Sequence, residues 1–139
     1  MSSNETSSNE TSSNDIVNFF ISKGLTKNQA KGIYGNIMQE SGGRNNAKSS
    51  DGHNSYGLAQ WTGARKARLF SKYGTSPSTQ QQLEFLWEEL NSSEKGALDA
   101  LKNTSTVEDA TKVFCQKFER PANWAANLKN RLKYANSIA

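Results

Sequence analysis

The sequence predicts an all-α domain behind a short polar tail, and three observations carry that reading. From residue 16 almost to the C-terminus, apolar residues recur at three- and four-residue spacing, the period of helices with one buried face. Two helix starts are spelled out as capping boxes, Thr26-Lys27-Asn28-Gln29 and Ser78-Thr79-Gln80-Gln81. No stretch alternates apolar and polar residues cleanly enough to read as a half-buried strand.

Each element follows from its local pattern. Residues 2–14 repeat Ser-Ser-Asn-Glu-Thr and then Ser-Ser-Asn, a segment with nothing to bury; residues 1–14 are read as a disordered tail or linker, and 15–139 as the folded domain. Ile16, Phe19 and Phe20 open the first helix, with Asn14 or Asp15 as its cap and Gly24 as its stop. The box at Thr26 opens a second helix whose apolar positions are Ala30, Ile33, Tyr34, Ile37 and Met38, and Gly42-Gly43 ends it. Residues 43–61 are polar and rich in Gly and Asn, without helical period, so a structured loop or short strands belong there. Helical pattern returns from about Ala64 to Tyr73. The box at Ser78 opens a helix carrying Leu83, Leu86, Trp87 and Leu90. A short helix around Ala97, Leu98 and Leu101 follows, then one capped by Thr106 with Val107, Ala110, Phe114 and Phe118, which Pro121 breaks. The last helix carries Trp124, Leu128, Leu132 and Ala135.

Composition narrows the functional classes. The 139 residues fit one domain, and 17 lysines and arginines against 13 acids give a net charge of +4. A basic surface favours polyanionic partners, a bacterial wall or nucleic acid. Acids and bases interleave along the helices with no arginine stripe, so no nucleic-acid partner is expected. The lone Cys115 excludes an internal disulfide and a cysteine zinc cluster, and beside Phe114 it reads as a buried thiol. His53 is the sole histidine; with Asp51 it makes too few ligands for a metal site, and no cofactor is implied. No run is long and apolar enough to span a membrane, and no basic, then apolar, leader opens the chain.

Glu40 is the most informative residue. It lies seven positions after Ile33, within about 20° of it on the helical wheel, at the C-terminal end of the second helix. Burial beside an apolar stripe and the negative end of the helix dipole both favour a protonated carboxyl. A proton-bearing carboxyl at a core rim is what glycoside hydrolysis asks of its general acid. The plainer alternative is a structural Glu bonded to loop backbone.

The segment Gly35-Asn36-Ile37-Met38-Gln39-Glu40-Ser41-Gly42-Gly43, followed by Tyr56-Gly57-Leu58-Ala59-Gln60-Trp61, resembles the lysozyme superfamily, including goose-type lysozymes and lytic transglycosylases. It is most similar to the phage tail lysozyme family, a likeness extended by Gln82-Leu83-Glu84-Phe85-Leu86 and Phe118-Glu119-Arg120-Pro121 and spanning about residues 16–137. The resemblance implies a lysozyme-like helical domain in which the loop region forms one wall of a cleft. It implies Glu40 as general acid, Ser41 as the residue that orients it, and Tyr56 and Gln60 as lining of the sugar cleft. Trp61 would offer a ring to a sugar or fill the core, and His53 would sit on the loop surface near the cleft rim.

Asp51 is the nearest candidate for a second catalytic carboxylate, against the alternative of a solvated Asp-Gly turn; Glu84, Glu88 and Glu89 read as surface charge. The implied activity is cleavage of peptidoglycan between N-acetylmuramic acid and N-acetylglucosamine, by a virion tail component that opens the wall locally and meets other tail proteins. Three rivals stand beside it: a lytic transglycosylase using the same Glu, a non-catalytic wall-binding tail module, and a basic helical domain that binds nucleic acid or protein. The later Ala-Tyr-Asn-Ala-Gly-like motif of the transglycosylases is missing, which favours hydrolysis.

Overall fold

A computed structural model describes residues 12–49 and 54–139. Among these the fold is mainly helical, as the spacing predicts. Its helices are α1 (Ser13–Ser22), α2 (Lys27–Ser41), α3 (Gly63–Tyr73), α4 (Thr79–Leu90), α5 (Lys95–Lys102), α6 (Val107–Phe114) and α7 (Trp124–Asn136), with a π-turn, Cys115–Glu119, continuing α6. No described helix is long and apolar enough to cross a membrane.

The caps form as spelled. Thr26 and Ser78 each accept from the backbone N–H three residues on, and the side chains of Gln29 and Gln81 reach back to their caps. Gly42 closes α2 in the left-handed conformation, φ 66°, where a side chain would be strained. The start of α1 differs from the expectation. Its cap is Ser12, whose Oγ accepts from Asp15 N–H at 3.1 Å, so Ser13 and Asn14 are helical. Of the tail, residues 1–11 lie outside the described residues.

The second helix is the axis of the domain. The sequence offered one apolar stripe, but α2 is buried nearly all round, including Gly32, Gly35 and Asn36. A helix buried on every side needs neighbours on every side, and α1, α6 and α7 supply them. Two glycines set the spacing. A Cβ on Gly32 would stand 2.7 Å from the backbone of Ala110 and Thr111 in α6, and one on Gly35 would stand 2.3 Å from the Arg131 carbonyl oxygen in α7. Backbones therefore touch on both flanks of α2.

The last helix also differs from its pattern. Leu128 and Leu132 are half-buried, and among the described side chains of α7 those fully withdrawn from solvent are Arg131 and Ala135. Around the other side of the core, Trp61, Leu69, Leu83, Leu86, Leu90, Phe114 and Phe118 close one apolar cluster with Phe20 and Ile33. The segment after α2 is a structured loop rather than a sheet: isolated antiparallel bridges join Lys48 to Tyr56 and Tyr56 to Trp61.

Candidate functional site

Glu40 stands in the last turn of α2, where the helix leaves the core, and its side chain is 19% exposed. The sequence argument for this residue contained no cation; the fold supplies one. Arg131, 91 residues away, donates from Nη2 to Glu40 Oε2 at 2.7 Å. The guanidinium is 1% exposed and is fully used: Nη1 donates to Asn36 Oδ1 at 2.8 Å, and Nε donates to Asn127 Oδ1 at 2.9 Å. Asn36 Nδ2 in turn donates to the Gly32 and Thr111 carbonyls. A polar chain thus runs from α6 through α2 and α7 to Glu40. It satisfies each buried donor and acceptor on the way, which is the condition for tolerating such groups in a core.

Glu40 opens onto two adjoining hollows. A cleft of about 670 Å³ is lined by Glu40 and Gln39 from α2, Lys48, Ser49, Ser55 and Gln60 from the loop, Glu119 to Ala122 from the end of the π-turn, and Asn127 and Arg131 from α7. A second hollow, of about 430 Å³, shares Gln39, Glu40 and Lys48 and continues toward Arg44 and Asn46. The carboxylate lies where the two meet. The loop forms one wall, as the resemblance implies.

Two buried polar anchors hold that wall. Gln82 accepts from Leu58 N–H at 2.8 Å and donates to the Asn45 and Pro77 carbonyls, and its Oε1 lies where a Gly57 Cβ would need to be. Glu89 accepts from Trp61 Nε1 at 2.8 Å and from both Nε and Nη2 of Arg65 at 2.8 Å. Glu89 is therefore no surface charge: it is 3% exposed and ties the loop to α4 and α3.

The other residues singled out in the sequence fall into place around this frame. Ser41 Oγ donates to the Ile37 carbonyl and accepts from Gly43 N–H, so its hydrogen bonds run to the helix end and not to the Glu40 carboxylate. Gln60 lines the cleft with φ 55°, and its Nε2 donates to the Ala47 and Gly57 carbonyls. Tyr56 is largely buried, pairs by backbone with Trp61 and meets Phe70 edge-on; it lines flanking hollows rather than the main cleft. Trp61 is 2% exposed and packs edge-on against Phe85, which makes it core and leaves no ring face open to a sugar. Asp51 and His53 lie outside the described residues.

The fold brings one unforeseen acid to the site. Glu119 ends the π-turn, lines the main cleft, and has an Oε2 that is buried without a hydrogen-bond partner among the described residues. Burial pushes its carboxyl well above the ordinary Glu range; the nearby Glu40 pushes the same way, and Arg131 and Arg65 pull back.

A family model for phage tail lysozymes matches residues 11–139. The chain belongs to the phage tail lysozyme family. The match covers every described helix, so the lysozyme-like helical domain expected from the sequence is the one that forms. Membership places the chain among peptidoglycan-lytic proteins of phage tails. No curated protein matches it.

Proposed function

We propose that this phage tail lysozyme is a muramidase that hydrolyses the bond between N-acetylmuramic acid and N-acetylglucosamine, with Glu40 as its general acid. One observation carries the reading: Glu40 lies where two contiguous hollows meet, so a polysaccharide threaded through both passes the carboxylate with sugars on either side. Arg131 grips Oε2, and among the described residues no hydrogen bond engages Oε1. Oε1 is the oxygen left to carry a proton to the leaving group.

In the reaction, Glu40 gives its proton to the glycosidic oxygen. The bond from the anomeric carbon breaks, and its electron pair stays on that oxygen. Water adds to the oxocarbenium-like carbon and sheds a proton, which restores the acid. Arg131 balances the carboxylate left behind. Asp51 or a held water serves the far face. Lys48, Arg44 and Arg120 along the walls favour an anionic polymer such as the bacterial wall. The domain acts as part of the virion tail, beside other tail proteins, and opens the wall locally during infection.

The test is mass spectrometry of fragments released from purified peptidoglycan by the protein and by Glu40→Gln. Reducing N-acetylmuramic acid ends that vanish in the variant are expected. Anhydro ends would reassign the chain to the lytic transglycosylases with the same acid. No fragments from either protein would leave a wall-binding module.

A further inference from the structure

The mechanism above uses one carboxyl of the cleft, yet two line it. Glu119 comes from a different element, and three features fix it there. The chain widens into a π-turn over Cys115–Glu119, a form that recurs where a helix must aim a side chain at a functional site. Phe118 is locked inward, stacked on Phe114 at 4.5 Å, with Arg65 over its ring and Arg65 Nη1 donating to its carbonyl. Arg120 then takes a left-handed backbone, φ 50°, held by its N–H to the Cys115 carbonyl and by Glu94, and Pro121 prevents the helix from continuing. Glu119 is left at the cleft floor.

Among the described residues its Oε2 has no hydrogen-bond partner, and it is buried. A carboxylate oxygen in that position would be a bare charge, and buried charges without partners are not tolerated; a neutral carboxyl is. The groups facing it are Glu40 from α2, Arg131 from α7, Arg65 from α3 and Glu89 from α4. The two cations are already committed, Arg131 to Glu40 and Arg65 to Glu89. Neither of these two described cations is left over for a third negative charge.

We propose that Glu119 is the second functional carboxyl of this cleft, a positioning residue that holds a proton beside Glu40. The two acids and Arg131 then form a unit with one proton and one balanced negative charge. Like charges in one cleft that influence each other resist ionising together, so the proton belongs to the pair and not to either acid alone. The unit keeps a proton at the cleft above the ordinary carboxylate range. This rests on the reading of Glu40 as the acid, but the pair itself exists in the free protein.

The test therefore starts without substrate. Carboxyl carbons of glutamate-labelled protein are followed by NMR across pH. One glutamate is expected to remain protonated well above the ordinary range, to disappear in Glu119→Gln, and to titrate lower by about one pH unit in Glu40→Gln, where the other carboxyl of the pair is gone. An ordinary titration of Glu119, or one that Glu40→Gln leaves unmoved, overturns the pair even if the protein is an active muramidase. With wall fragments as substrate, Glu119→Gln is expected to move the alkaline limb of kcat to lower pH by about one unit. An unmoved limb overturns the positioning role. If the unmodified protein releases no fragments, the muramidase reading fails, and the titration alone decides the pair.

Discussion

Arg131 is the residue whose replacement tests the site and the fold together. Arg131→Met keeps most of the volume and removes every donor. Three acceptors lose a partner. Asn127 is half-buried and finds water, at little cost. Asn36 Oδ1 is fully buried and is left unsatisfied, at about 1–3 kcal/mol. Glu40 loses a charged hydrogen bond, at about 1.5–3 kcal/mol, softened because its side chain reaches the cleft. The expected loss is therefore about 3–5 kcal/mol, the range for breaking one side of a buried pair. Much of it comes from the stranded charge, so Glu40→Gln in the same protein should recover part of it. Urea denaturation at neutral pH of the parent, both single variants and the double variant closes the cycle, with a coupling of about 1.5–3 kcal/mol between the sites expected. A loss below about 1 kcal/mol for Arg131→Met, or strictly additive effects, would refute the claim that the guanidinium binds Glu40 to the core.

Other outcomes follow from the same geometry. Gly35→Ala forces α2 and α7 apart, since its Cβ would meet the Arg131 carbonyl at 2.3 Å; about 1–3 kcal/mol of stability should be lost, with a fall in wall-degrading activity, read by thermal melting and fragment release. Trp61→Phe deletes the hydrogen bond to Glu89 and should cost about 1–2 kcal/mol while leaving KM for wall fragments unchanged; a raised KM would return Trp61 to the sugar site. Glu119 makes stability depend on pH with a definite sign. Below the ordinary Glu range both folded and unfolded chains hold its proton and stability is full. As pH rises the unfolded chain releases the proton first, and stability falls until the folded carboxyl ionises as well. Glu119→Gln should flatten that slope in urea midpoints measured from acid to mildly alkaline pH, and parallel slopes would count against the buried neutral acid.

The helices were legible because each one announces itself locally: a hydroxyl three residues before a Gln, a glycine at the stop, a stripe at helical spacing. The first cap was misplaced because Ser12, Asn14 and Asp15 all suit the position, and local chemistry does not rank them. The site was legible in Glu40 and largely hidden elsewhere. Arg131 sits on an amphipathic stripe like any solvated arginine, and only the close approach of α7 at Gly35 draws it inside. Glu89 looks like its neighbours Glu84 and Glu88 until Trp61 and Arg65 reach it across the fold. Glu119 was within reach, however. It is an acid beside an apolar stripe at a helix end, which is the pattern that singles out Glu40, and Pro121 marks that end two residues on.

The polar chain from Thr111 to Glu40 also fixes when the site can exist. Its decisive cation lies 91 residues after the acid it holds, on α7. Until α7 lies against Gly35, Glu40 has no guanidinium, Asn36 has no charged partner, and the cleft lacks a side. With α1 to α6 folded and α7 undocked, the proposed acid thus stands without its cation. On that reading activity waits for α7 to dock.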